Sequence, residues 1–334
     1  MIHRVLNRAK DIAFTSWLSN FWMAKNKGTI LSFLYHRVDH RSNNDFLTKG
    51  YSPVISPENL YLELNTLKNL GVNFLTFDKI GEYKLSGNNG VGIIVCFDDC
   101  FKDNYEQGFE VLEALNIKAT FFQTTALVDS NTLIWEHALY WFVRDSSSDK
   151  HLKHVAENYY RDNRPILEKG RNFSGMDWVQ FLVHQAPLED AEALVQILMN
   201  DGDNRLEQAE IAKNIYPTLK HLKKAFASGH ELGTHGHQHL RRTGVSAERF
   251  EEDLKTSKDL FESWGFPGKS YSYPFNSYLK GDENISKKYF EMVATVDSKP
   301  ITRNTPMSQL PRFTWPGNSP NQFRMRRWLL TGGI

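Results

Sequence analysis

The run VGIIVCFDDCFKDNYEQGFEVLEALNIKATFFQ, from Val91 to Gln123, decides the fold of this chain. Val91–Phe97 is apolar at consecutive positions instead of alternating ones, as a strand covered on both faces must be. It runs directly into Asp98 and Asp99. Residues 104–116 then carry helical spacing, and Lys118–Gln123 returns to an apolar strand. Strand, helix and strand in this order build a parallel sheet with helices on its outside.

The alternation extends in both directions. Upstream, Thr29–Tyr35 (TILSFLY) reads as a buried strand ending at His36. Ser56-Pro57-Glu58 opens a helix, with Ser as cap and Pro in the first turn, and Gly71 stops it. Asn73–Phe77 follows as another strand. Downstream the pattern lapses. Residues 130 to about 215 are rich in helix formers and charge and carry no clear buried strand, which predicts a helical insertion. Alternation resumes with helices near 216–228, 246–264 and 282–290, between strands at Glu231–Gly233, Lys269–Tyr273, Met292–Val296 and Leu310–Thr314. Seven or eight such units predict an α/β fold, a distorted (β/α) barrel of about seven strands with a helical insertion. In barrels of this kind the chemistry sits on loops at the carboxyl ends of the strands.

Forty basic against 39 acidic side chains leave no excess of the kind a nucleic-acid partner requires. Cys96 and Cys100 stand four apart across a turn, a poor geometry for a structural disulfide, and point to a reducing compartment. At the N-terminus, Ile2, Val5, Leu6, Ala9, Ile12, Ala13, Trp17, Leu18 and Phe21 recur at helical spacing beside Arg4, Arg8 and Lys10. The stretch is too polar for a signal peptide and too short for a bilayer span. It predicts an amphipathic helix over 1–28, either packed on the domain or lying on a membrane surface. The tail at 323–334, with Phe323-Arg324-Met325-Arg326-Arg327-Trp328, has the same basic and aromatic character. The expected organisation is therefore a helix at 1–28, a barrel over 29–322 and a tail at 323–334. The expected setting is the cytoplasm, with peripheral contact at the inner membrane face.

Three segments at expected strand ends carry chemistry: Cys96-Phe97-Asp98-Asp99, Gly229 to His239 (GHELGTHGHQH), and Ser272-Tyr273-Pro274-Phe275-Asn276. His235 and His239 are four apart, so one helical turn would bring both imidazoles to one side. Two imidazoles and one carboxylate make a site suited to Zn²⁺ and tolerant of other divalent ions. Such an ion acidifies a water enough to make a nucleophile near neutral pH. One of the two aspartates can bind the ion, and its neighbour can then take the proton. His237 should point away from its two neighbours, and His230 reads as structural.

On these residues the chain resembles the polysaccharide deacetylases, the NodB-like domains of carbohydrate esterase family 4. That family carries TFDD, H-[S/T]-x-x-H and R-x-P-Y-[G/A] segments. The likeness covers about residues 29–128 and 216–315, and Phe97–Thr125 and Gly229–His235 match along their whole length. It implies hydrolysis of the N-acetyl amide of an amino sugar, in a surface polysaccharide or a lipid-linked precursor. By position it makes Asp98 the general base and Asp99, His235 and His239 the metal ligands, with Zn²⁺ ahead of Ni²⁺, Co²⁺, Fe²⁺ or Mn²⁺. The main-chain N–H of Phe275 becomes the oxyanion donor. Tyr273 and Pro274 of the same segment, with Trp135, are candidate substrate contacts, although core packing is the stronger reading of Trp135.

Four departures from the family pattern matter. Gly236 stands where the histidine segment has Ser or Thr, and Cys100 where Gly follows the aspartates. Ser272 replaces the arginine of the proline segment, and Arg312 is the candidate to supply the missing charge. No histidine follows His239, so the late general-acid histidine of many members is absent. His36, in Leu34-Tyr35-His36-Arg37-Val38, resembles the acid of the poly-N-acetylglucosamine deacetylase branch, where it comes from an early strand. The same barrel could instead act on a formamido sugar or a non-sugar amide, or bind glycan without turnover. The retention of Asp98, Asp99, His235 and His239 argues against that last reading.

Overall fold

The computed structural model describes residues 20–40, 46–49, 53–87, 90–163, 173–200 and 204–314. Eight strands form one parallel sheet: β1 (Ile30–Tyr35), β2 (Asn73–Leu75), β3 (Gly92–Phe97), β4 (Thr120–Gln123), β5 (Glu231–Thr234), β6 (Ser270–Ser272), β7 (Met292–Ala294) and β8 (Phe313–Thr314). Their order is β8-β1-β3-β4-β5-β6-β7, with β2 beside the first half of β3. A parallel bridge from Ala294 to Leu310 carries β7 back to the chain entering β8, so the sheet curls into a distorted barrel.

The helices follow the strands: α1 (Pro57–Asn69), α2 (Ile80–Leu85) and α3 (Phe109–Leu115). Ser56 caps α1 as expected, its Oγ accepting from the Asn59 N–H at 3.3 Å. The helix expected at 104–116 begins instead as a π-helical turn, Asn104–Gly108, whose first residue donates to the His36 carbonyl at 2.5 Å. Among the described residues five helices fill the expected insertion: α4 (Trp135–Trp141), α5 (Ser146–Asn163), α6 (Gly175–His184), α7 (Leu188–Met199) and α8 (Asn204–Ile215). They share an apolar cluster around Trp141, Tyr160, Trp178 and Leu194. Then α9 (Leu219–Ala227), α10 (Ala247–Ser263) and α11 (Asp282–Ser286) return to the barrel.

Most of the expected N-terminal helix and all of the basic tail lie outside the described residues. Residues 20–25 are helical, and Trp22 is buried in the main core. Among the described residues no helix is long and apolar enough to cross a membrane.

The apolar run that defines β3 serves two cores at once. Ile93, Val95 and Phe97 face the helices, in one cluster with Leu31, Phe33 and Tyr35 of β1. Ile94 and Cys96 face the barrel interior with Ile30 and Leu34 of β1, Phe122 of β4 and Ala294 of β7. Because side chains alternate along a strand, the next interior positions of β3 and β1 are Asp98 and His36. The register pairs Leu34 with Cys96 and Tyr35 with Phe97, and the Asp98 N–H donates to the Tyr35 carbonyl at 3.0 Å. Strand periodicity thus delivers both polar residues to the same rim.

Candidate active site

Asp98 lies at the interior rim of β3, 3% exposed. Arg312 grips it bidentately, Nη1 donating to Oδ1 at 2.6 Å and Nη2 to Oδ2 at 2.8 Å. Ser272 Oγ donates to Oδ2 at 3.1 Å and itself accepts from Arg312 Nη2 at 2.7 Å. Arg312 is fully buried. Burial alone would raise the pKa of Asp98, but the guanidinium holds it below the usual carboxylate value. The carboxylate is charged and oriented at neutral pH.

Asp99 and Cys100 follow with left-handed backbones, φ 62° and 59°. Two such residues in succession turn the chain sharply off β3, a conformation that costs each roughly 1–3 kcal/mol and is tolerated mainly at functional sites. Asp99 Oδ1 then faces His235 Nε2 at 3.4 Å and His239 Nε2 at 3.1 Å. The ligating atoms of these three buried residues all lie within 4.8 Å of one another.

The two histidines converge by a different route from the helical turn that their spacing predicts. His235 follows β5 at an interior position, and residues 235–239 form an irregular loop. That loop reverses through Gly236 at φ 75° and His239 at φ 53°. Asp253 on α10 holds the reversal, accepting from the main-chain N–H groups of His237 and Gln238 at 2.8 Å each. A Cβ on Gly236 would sit 2.6 Å from that carboxylate, which explains why the family hydroxyl is missing here. His237 turns away to Thr125 Oγ1, and His230 pairs with the Ala119 N–H and Glu113.

The outer nitrogens of both histidines face oxygen atoms. His235 Nδ1 meets the Ser272 carbonyl at 2.8 Å, and His239 Nδ1 lies 2.5 Å from Glu136 Oε1. An Nδ1–H tautomer on each ring would leave its Nε2 lone pair facing Asp99. Burial opposes a charge on His239, yet Glu136 and Asp99 push its pKa up to about 10. A positive charge is therefore favoured between those carboxylates. Arg312 neutralises Asp98, whereas Asp99 and Glu136 sum to minus two between two imidazoles. A divalent cation balances that sum, and two nitrogens with one oxygen suit Zn²⁺. The donor set fits the ion that the family pattern implies.

These groups line a cavity of about 240 Å³ with His36, Tyr273 and Phe275. Among the described residues the His36 ring has no hydrogen-bond or ion-pair partner, and burial lowers its pKa. Phe275 adopts φ 57°, ψ 12°, and its ring lies 4.6 Å from that of His239. Asn276 pins this loop to the chain after β7, donating to the Val296 carbonyl and accepting its N–H. Pro274 is buried below. Trp135 does not reach the cavity. It is 7% exposed, donates its indole N–H to the Gln238 carbonyl, and packs 6.2 Å from the Phe275 ring.

Sequence reasoning missed the insertion's share of the site. Glu136 of α4 contacts a ligand histidine, while Tyr140 and, from α6, His184 line the cavity. The available signal was the charged pair Glu136-His137 inside the apolar run Leu133–Trp141, which only a buried partner explains.

The profile of the polysaccharide deacetylase family matches residues 87–160 and 193–289, just over half of the chain. No curated protein matches it. Among solved structures, a polysaccharide deacetylase from Bacillus cereus superposes with a TM-score of 0.56 at 17% identity, covering 91% of this chain and 69% of its own. The deacetylase PplD of Streptococcus pyogenes, in complex with acetate, gives 0.56 at 15% identity over 87% of this chain and 93% of its own. IcaB from Ammonifex degensii gives 0.53 at 17% identity over 91% and 97%. At these identities the superpositions speak for the curled parallel sheet alone. The profile match, which spans the Asp98–Asp99 and His235–His239 segments, assigns the chain to the polysaccharide deacetylases, hydrolases of N-acyl amide bonds.

Proposed function

We propose that the chain removes an acetyl group, or a similarly small acyl group, from the nitrogen of an amino sugar in a surface polysaccharide or its lipid-linked precursor. The reading rests on one observation: an arginine-held Asp98, the Asp99–His235–His239 cluster and His36, whose ring has no partner among the described residues, share one small cavity. At about 240 Å³ the cavity falls below the roughly 300–1,000 Å³ of drug-sized sites and suits a single sugar unit.

A divalent ion held by Asp99, His235 and His239, Zn²⁺ first, would polarise the acyl carbonyl and acidify the attacking water. Asp98 accepts the proton of that water, kept ionised and aimed by Arg312 and Ser272. The Phe275 N–H donates to the oxygen on which charge develops. His36 protonates the departing amine, which is too basic to leave without a proton. Tyr273 walls the cavity beside the sugar, and Trp135 supports Phe275 from behind.

Acetate release from N-acetylglucosamine oligomers tests the reading, alongside N-formyl substrates and elemental analysis. The wild-type protein should carry one divalent ion per chain, and Asp99→Ala and His235→Ala should carry little. Asp98→Asn should keep the ion and lose about 100-fold or more in turnover. Equal metal content in wild type, Asp99→Ala and His235→Ala would remove the proposed centre. A preference for formyl substrates would redirect the enzyme to a deformylase, and glycan binding without hydrolysis would make it a binding barrel.

A further inference from the structure

Glu136 enters the site from α4, an element of the helical insertion and no part of the barrel. It is fully buried, and its Oε1 lies 2.5 Å from His239 Nδ1, on the side of the ring opposite Asp99. A carboxylate removed from water costs several kcal/mol unless charge or hydrogen bonds compensate it. The nearest compensating group is the His239 imidazole, whose other nitrogen faces Asp99, and His137 Nε2 lies 3.7 Å from the same oxygen. Among the described residues, His235, the second histidine, meets a neutral main-chain carbonyl at the equivalent nitrogen. The two rings are therefore unequal, and the insertion makes one of them the stronger donor.

We propose that Glu136 is a positioning residue that fixes His239 in its Nδ1–H tautomer and raises the basicity of Nε2, so that the insertion governs how tightly the divalent ion is held. This rests on the metal-site reading above. Carboxylate partners of ligand histidines characteristically contribute 10–100-fold in metal affinity. The insertion thereby becomes a working part of the centre. Loosening α4 from the barrel withdraws a charge from the ion's surroundings.

Zn²⁺ affinity of the chelator-stripped full chain, by competition with a chromophoric chelator, tests this in wild type, Glu136→Gln and Glu136→Asp. The absorption bands of the Co²⁺-loaded proteins are recorded in parallel. Glu136→Gln keeps the shape but not the charge, and should bind Zn²⁺ about 10–100-fold more weakly with altered Co²⁺ bands. Glu136→Asp should recover part of the affinity. Thermal unfolding of the metal-free proteins checks that the fold survives, and if Glu136→Gln unfolds, Glu136→Asp carries the comparison. Wild-type affinity and an unchanged Co²⁺ spectrum in the folded variants would overturn the role. A wild-type protein that binds neither ion would overturn the metal reading, and this inference with it.

Discussion

His36 and Asp98 stand level because β1 and β3 are parallel neighbours in fixed register, each with a polar residue at its next interior position. Their surroundings differ. Asp98 is saturated by Arg312 and Ser272, whereas the His36 ring faces the cavity without a partner among the described residues. A saturated carboxylate suits a base that must stay ionised, and an unpaired imidazole suits a group that must exchange its proton with substrate. Burial lowers the pKa of His36, which makes its protonated form a better donor. His36→Ala should keep the fold and the metal while turnover of the amide falls about 100-fold or more. An ester analogue, whose leaving group needs less help, should lose less. Near wild-type amide hydrolysis by the variant would assign the proton to another group, with His184 at the cavity wall the next to test.

At the scale of elements, periodicity made the strands and their polar ends legible, and the loops between them were not. The four-residue spacing of His235 and His239 suggested a helical turn, yet the segment is a loop whose reversal needs two left-handed residues. Spacing alone cannot distinguish these routes, because both bring the rings to one side. Gly236 looked like the loss of a supporting hydroxyl. In fact Asp253 of α10 occupies that place and supports the loop through two main-chain N–H groups. Restoring the family side chain should therefore do harm. In Gly236→Ser the new Cβ meets the Asp253 carboxylate and the residue keeps a left-handed backbone, a conformation worth roughly 1–3 kcal/mol. Urea unfolding should register that loss, and metal content should fall with it. Unchanged stability and metal content would show that the loop tolerates a side chain and that Asp253 is replaceable. The insertion was harder still: its helical character was expected, but a helix's apolar face does not announce which buried carboxylate reaches across to another element. Glu136 is visible only once α4 is docked on the barrel.

Across the whole molecule, one strand joins stability to chemistry. β5 begins at Glu231 and leads into His235, and positions 231, 233 and 235 share the interior face, because side chains repeat every second residue. At the rim end His235 faces Asp99. At the opposite end Glu231 ties three strands and a turn together: Ser270 Oγ donates to Oε1 at 2.7 Å, and Thr120 Oγ1 and the Asp78 N–H donate to Oε2 at 2.8 and 3.1 Å. Between them Gly233 leaves room for Ser270 and Phe122, which a Cβ would strike. Burial and the nearby Asp78 raise the pKa of Glu231 to about 7, against the donors that favour its charge. A folded-state pKa above the unfolded value of 4.5 means that the native chain holds the extra proton between those two values. Its contribution to stability is complete below about pH 4.5 and is lost as pH rises through about 7. Metal-free wild type should accordingly lose unfolding free energy across that window by more than Glu231→Gln does, when both are titrated with urea from pH 4.5 to 8. The chelator matters, because protons and metal compete for the histidines at the other end of the barrel. Parallel curves for the two proteins would mean that Glu231 stays ionised throughout, held by its three donors, and that the closed end of the barrel contributes no pH dependence of its own.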